Sequence, residues 1–152
     1  MKICIGMPTN RLVKSKTAKS LLDLVAHSKY DYKIIISTRG YNTAENGNYI
    51  SAQAVKAGCD YLFRVDDDMI YEPDTLDKLL IHDKDIVGGI YYTKYEVQEP
   101  VIEYLDDKRP EGLFECGALG GGLILIKCEV FKKVPQPWYG YIWIGGMVKE
   151  SN

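Results

Sequence analysis

Three consecutive carboxylates, Asp66, Asp67 and Asp68, follow directly on the run Tyr61-Leu62-Phe63-Arg64-Val65. Like charges set so close repel one another unless a cation sits among them, and a divalent ion meets that need with few protein ligands. Mg²⁺ and Mn²⁺ favour hard oxygen donors and commonly share their shell between one or two carboxylates and substrate phosphates. Side chains alternate along a strand, so Asp66 and Asp68 are expected to converge on one ion while Asp67 points elsewhere, unless the strand has already turned. The plain structural alternative is a solvated turn capping the helix at Pro73. The position after a strongly apolar strand weighs against it.

The elements that must deliver these residues are readable from apolar spacing. Lys2 to Met7 is a β-favouring run broken by Pro8-Thr9-Asn10, which predicts a buried strand and a loop. Ala18, Leu21, Leu22, Val25 and Ala26 mark one helical face over Thr17 to about His27, with Ser15 or Thr17 as cap. Lys33 to Thr38 contains a β-branched run of the kind buried on both faces of a parallel sheet, and a loop from Arg39 to Gly47 follows. Asn48 to Ala57 resumes helical spacing and stops at Gly58, a good C′ residue; Asp60 to Val65 is then a third strand. In open α/β sheets ligands bind beyond the carboxyl ends of the strands, and these strands bring Pro8-Thr9-Asn10, Arg39 and the aspartates to one edge.

Pro73 is placed at a helix N1 position with Asp74 beside it, and Leu76, Leu79, Leu80 and Ile81 give a short amphipathic helix closing near Asp83. Asp85 to Tyr91 reads as a fourth strand, and Tyr92 to Gly112 as a polar loop with one short strand near Val101 to Leu105. Leu113 to Cys116 and Leu119 to Lys127 are expected to be strands, the second containing Gly120-Gly121-Gly122, where a ligand or another backbone can approach closely. Glu129 to Lys133 makes about one helical turn, and Trp138 to Lys149 suits a hairpin around Gly145-Gly146.

A chain of 152 residues has room for one core and none for a second catalytic module. Its 46% hydrophobic and 26% charged residues are the balance of a soluble globular protein. The net charge of -2, without a run of Lys and Arg, argues against a nucleic-acid partner. Neither a signal-peptide pattern nor a membrane-spanning stretch is present, so the expected compartment is the cytosol. Cys4, Cys59, Cys116 and Cys128 lack zinc spacing and read as small buried thiols. Gly120-Gly121-Gly122 lacks the Lys and Ser or Thr of a phosphate-cradling loop, and no G-x-G-x-x-G opens the first helix. Trp138, Tyr139, Tyr141 and Trp143 suit either sugar stacking or a hydrophobic cap.

On these residues the chain resembles the GT-A glycosyltransferases, particularly those of family 2. Asp66-Asp67-Asp68 looks like their D-x-D signature, and Pro8-Thr9-Asn10 is similar to the loop after strand one that contacts the nucleotide. Asn48, with Ala52 and Ala54 after it, resembles the Arg-Asn helix start that precedes the D-x-D strand. Asp74-Thr75-Leu76 and Asp85-Ile86-Val87-Gly88-Gly89 match the helix and strand that follow. Gly120-Gly121-Gly122, ahead of Leu123 to Lys127 and Glu129-Val130-Phe131, resembles the acceptor-side strand and helix. The likeness runs through nearly all of the chain in order.

The resemblance implies a single Rossmann-like α/β domain with a mostly parallel sheet flanked by helices. It implies an enzyme that binds a nucleoside-diphosphate sugar through Mn²⁺ or Mg²⁺ and transfers the sugar to an acceptor. Asp66 and Asp68 would hold the metal; Pro8, Thr9, Asn10, Arg39, Asn48, Asp66 and Asp67 would contact the nucleotide sugar; Gly121 and Gly122 would face the acceptor. The family's arginine before the helix asparagine is Gly47 here, which removes a diphosphate contact. The family's catalytic carboxylate lies in a Glu-Asp motif beyond the acceptor-side helix, about where this sequence reads Lys149-Glu150-Ser151-Asn152. Glu150 reads as an exposed terminal glutamate, so no catalytic residue is assigned. Two other readings stay open: a non-catalytic sugar-nucleotide-binding or assembly module, and a sugar-phosphate nucleotidyltransferase. The second needs a Gly-rich loop with Arg and Lys after strand one, which Met7 to Arg11 does not supply.

Overall fold

The computed structural model describes residues 1–10, 12–38, 42–144 and 147–151. The N-terminal apolar run forms β1 (Lys2–Pro8), buried from Ile3 onward. It is followed by α1 (Ser15–His27), β2 (Asp31–Ser37), α2 (Thr43–Lys56) and β3 (Tyr61–Val65). Then come α3 (Thr75–Leu80), β4 (Ile86–Gly88), β5 (Ile102–Glu103), β6 (Ala118–Leu119), β7 (Leu123–Lys127), α4 (Cys128–Lys133), β8 (Gly140–Ile144) and β9 (Met147–Ser151). The main sheet has the order β2-β1-β3-β7-β4. β1 runs parallel to both β2 and β3, whereas β7 is antiparallel to β3 and β4.

Alternation along the central strands builds two cores. Ile3, Ile5 and Met7 of β1, Phe63 and Val65 of β3, and Leu123 and Leu125 of β7 face Leu21, Leu24, Leu76 and Leu79 from α1 and α3. Cys4, Leu62, Ile124 and Ile126 point the other way, onto Ala44, Ile50 and Ala54 of α2 and Phe131 of α4. Helices on both faces of a mixed sheet make this an α/β fold. Only the β1–β2 and β1–β3 pairings are parallel, so the sheet is less parallel than expected because β7 inserts antiparallel between β3 and β4. Because β1, β2 and β3 are parallel, their carboxyl ends share one edge, and antiparallel β7 begins there with Gly120-Gly121-Gly122 just ahead of it.

Several elements differ from the sequence reading. The second helix starts at Thr43, not Asn48: the Asn42 side chain caps it by accepting the Glu45 N–H at 2.8 Å. An Asn followed three residues later by Glu is a recognised helix start. Gly58 ends this region with φ of 66°, as expected for its C′ role. β2 is an edge strand, so Ile34 and Ile36 are 47% and 51% exposed and the expected burial on both faces does not hold. Asp74, not Pro73, flanks the start of α3. β4 stops at Gly88, short of the predicted Tyr91.

Leu113 to Cys116 is not a strand; Ala118–Leu119 pairs with β5 in its place. The long strand predicted over Leu119 to Lys127 breaks at the three glycines into β6 and β7. β8 and β9 form the expected tail hairpin. Among the described residues, no helix is long and apolar enough to cross a membrane.

Candidate functional site

β3 ends at Val65, so the aspartates stand beyond it and strand alternation no longer separates them. Asp66, Asp67 and Asp68 all line one cavity of about 400 Å³, together with Pro8, Thr9 and Asn10 from the end of β1. Thr43, Arg64, Tyr91, Val101, Gly120 and Gly121 complete the lining. The backbone locks this arrangement. Asp66 N–H donates to the Gly122 carbonyl at 3.0 Å, Lys14 N–H to the Asp67 carbonyl at 2.9 Å, and Thr9 N–H to the Ser37 carbonyl at 2.9 Å.

The two outer carboxylates differ electrostatically. Burial pushes the Asp66 carboxyl above the ordinary carboxylate range, an effect partly offset by the Arg64 guanidinium, 4.0 Å away, and reinforced by Asp68 and Asp67. Asp68 lies below that range because Lys94 hydrogen-bonds to it, with Lys14 adding a second ion pair at 3.4 Å. Arg64 itself is buried in the floor, its guanidinium carbon 5.2 Å from the centre of the Tyr139 ring.

Gly122 keeps space beside Asp66. A Cβ there would lie 2.8 Å from Asp66 Oδ2 and 2.8 Å from the Tyr91 hydroxyl. The Gly122 N–H donates to that hydroxyl at 3.0 Å. Any side chain at this position would fill the room next to the carboxylate.

Of the residues expected at the site, Pro8, Thr9, Asn10, Asp66, Asp67, Asp68 and Gly121 converge on the cavity, and Gly122 abuts it through Asp66. Arg39 lies outside the described residues, as does the side chain of Glu150. Asn48 is elsewhere. Its Nδ2 donates to the Ala44 and Tyr139 carbonyls at 3.0 and 2.7 Å, and its Oδ1 accepts from Trp138 and Tyr139 N–H at 2.8 and 3.2 Å. That side chain braces the tail against α2. Gly47 has a packing role too, since a Cβ there would sit 2.9 Å from the Tyr139 ring.

Tyr139 is buried and Trp138 packs edge-on against Phe131, so these two aromatics act as a hydrophobic cap. Cys4, Cys59 and Cys128 are buried free thiols, and Cys116 is half-buried. Burial holds Cys4 and Cys128 up at about 12, which suits packing and not nucleophilic chemistry.

Sequence reasoning missed Thr43, Tyr91, Lys14 and Lys94, none of which carries a local signal. Arg64 did carry one: a single cation inside an apolar strand next to three carboxylates. A second, larger cavity of about 1490 Å³ adjoins the first and shares Arg64, Val101, Gly120 and Gly121 with it. Its walls include Ile86 and Gly88 of β4, Leu119 of β6, and Ile124 and Ile126 of β7.

Among the described residues, no group of three or more His, Cys, Asp or Glu is arranged to enclose a metal. Asp66, Asp67 and Asp68 are the hard-oxygen groups at this cavity that could contribute to holding a divalent cation.

No family model matches this chain, and no curated protein matches it. A solved structure, A197 from STIV, is similar over 90% of this chain and 70% of its own, with a TM-score of 0.64 and 20% identity. The likeness at that identity is one of fold.

Proposed function

We propose that this chain is the donor-binding domain of a GT-A-type, metal-dependent glycosyltransferase that uses a nucleoside-diphosphate sugar. The observation that carries the reading is the convergence of Asp66, Asp67 and Asp68 with Pro8-Thr9-Asn10 around one cavity at the carboxyl edge of the parallel strands. That edge is where open α/β sheets place ligands, and about 400 Å³ is within the range of small-molecule sites. Asp66 and Asp68 would hold Mn²⁺ or Mg²⁺ jointly with the diphosphate. A bound divalent ion supplies charge neutralisation at the departing diphosphate.

The remaining work falls to the chain's own residues. Thr9 and Asn10 would flank the donor from the β1 end, and Gly120 and Gly121, which line both cavities, would border the passage to the larger one. That passage suits an acceptor approaching from the β4–β7 side. One observation favours a second reading, a binding module without transfer activity: the only carboxylates lining the smaller cavity among the described residues are the triplet itself. Acyl or phosphoryl chemistry through the cysteines has no comparable support.

The test is calorimetric titration of UDP, GDP, CDP and dTDP into the purified chain, with Mn²⁺ and again with EDTA. Metal-dependent binding of one nucleotide is expected, and Asp66→Asn combined with Asp68→Asn should abolish it while leaving the fold intact. Unchanged binding in that double variant would remove the site assignment. Transfer or hydrolysis of the matching sugar nucleotide then separates an enzyme from a binding module.

A further inference from the structure

Asp68 is held by two ammonium groups that reach it from separate parts of the chain. Lys94 forms a hydrogen-bonded ion pair with it, and Lys14 lies at 3.4 Å. The lysine side chains are 60% and 64% exposed, against 31% for Asp68. Lys94 belongs to a small loop closed at its base by the Tyr92–Pro100 bridge and by Thr93 N–H donating to the Glu99 carbonyl at 2.9 Å. The next residues out, Tyr91 and Val101, both line the aspartate cavity, and Val101 N–H donates to the Tyr91 carbonyl at 2.8 Å. Lys14 is fixed in turn by its own N–H on the Asp67 carbonyl. Both lysines thus reach Asp68, which lines the cavity, from segments held by backbone hydrogen bonds.

We infer that Lys94 and Lys14 are diphosphate ligands stored on Asp68, which they leave for the phosphate oxygens when the donor and its cation bind. This rests on the donor-site reading above. Ion pairs as exposed as these are weak, so exchanging them costs little. A divalent ion on Asp68 repels both ammonium groups, and a diphosphate offers them stronger, charge-assisted partners within the same small volume. Arg64, which also lines the cavity, differs from the two lysines in being buried, with Asp66 and the Tyr139 ring as neighbours.

A consequence with a definite sign follows. A cation arriving alone must compete with two ammonium groups for Asp68, whereas a cation arriving with the nucleotide does not. Metal and nucleotide therefore strengthen each other's binding. Removing a lysine should strengthen the binding of metal alone and weaken the binding of nucleotide. A lysine that merely supported the local structure would shift both in the same direction.

The experiment measures Mn²⁺ alone by the electron paramagnetic resonance signal of the free ion. It then measures, by calorimetry with Mn²⁺ present, whichever of UDP, GDP, CDP and dTDP binds the unmodified chain. For Lys94→Ala and Lys14→Ala, Mn²⁺ alone should bind about threefold more tightly. The nucleotide should bind about tenfold more weakly. Lys94→Arg, which keeps the charge, should restore most of the nucleotide affinity. Thermal melts of all variants should coincide, because both side chains are largely exposed. Unchanged nucleotide affinity in both alanine variants, or Mn²⁺ and nucleotide weakening together, would overturn the inference. If the unmodified chain binds no nucleotide at all with Mn²⁺ present, the donor-site reading itself fails and this inference falls with it.

Discussion

The side-chain amide of Asn48 grips the backbone of Tyr139 from both sides, with Nδ2 donating to its carbonyl at 2.7 Å and Oδ1 accepting its N–H at 3.2 Å. Through that grip the tail is registered on α2, the Tyr139 ring is seated against Gly47, and the Arg64 guanidinium gains an aromatic face to lie on. An asparagine resembling a nucleotide-binding residue is thereby committed to holding the floor of the cavity in place.

Asn48→Ala should therefore be a stability variant. It leaves the Trp138 N–H and the Tyr139 N–H and carbonyl without their side-chain partner, for an expected loss of about 2–4 kcal/mol. Urea denaturation reads that loss. Nucleotide affinity per folded molecule should stay within about twofold of the unmodified chain, since the side chain does not line the cavity. A selective loss of nucleotide binding with unaltered stability would return Asn48 to the donor site.

Gly122→Ala has the opposite signature. The added Cβ comes to 2.8 Å from the Tyr91 hydroxyl and, equally, to 2.8 Å from the Asp66 carboxylate, which must shift to admit it. Its displacement should weaken Mn²⁺-dependent nucleotide binding by about tenfold, equivalent to about 1.4 kcal/mol. Stability should fall by no more than about 1–3 kcal/mol, the usual range for overpacking by one methyl group. Equal nucleotide affinity in the two proteins would show that the room beside Asp66 is not used.

How much of this could be seen beforehand depended on whether the signal was local. Runs such as Ile3 to Met7 and Tyr61 to Val65 declare themselves by composition, and the helical face of Leu21 and Leu24 by spacing, so the alternation of strands and helices up to the aspartates was legible. The α2 start was legible in principle through Asn42 and Glu45, but Gly47 in its second turn is a poor helix former and obscured it. Its presence is explained only by Tyr139, far along the chain.

Pairings across long stretches of sequence leave no such trace. Nothing local says that β7 inserts antiparallel between β3 and β4, or that β2 becomes an edge with Ile34 and Ile36 exposed. The same holds for Lys94 and Lys14 meeting at Asp68. The aspartates were readable as chemistry because they are adjacent; their cationic neighbours were not, because folding alone brings them there.

Tyr71 gives a prediction on stability and pH. Its ring meets Phe63 edge-on at 5.9 Å, it is 8% exposed, and among the described residues its hydroxyl has no hydrogen-bond partner. Burial pushes its ionisation up to about 12. In the unfolded chain a tyrosine ionises near 10, so between about pH 10 and 12 the unfolded state gives up its proton first. The folded state then binds more protons than the unfolded one, and stability falls as pH rises through that window, Tyr71 contributing about 2–3 kcal/mol. Tyr30, raised to about 12 chiefly by its hydrogen bond to Asp77, acts in the same direction. Tyr71→Phe should be neutral or stabilising by about 1 kcal/mol at pH 7, because it removes a buried hydroxyl that lacks a partner. It should also flatten the alkaline decline without abolishing it, the remainder being due to Tyr30 and to the buried thiols of Cys4 and Cys128. Urea unfolding at intervals from pH 7 to about 12 compares the two proteins, and parallel declines would mean that Tyr71 is not the group whose ionisation opens the fold.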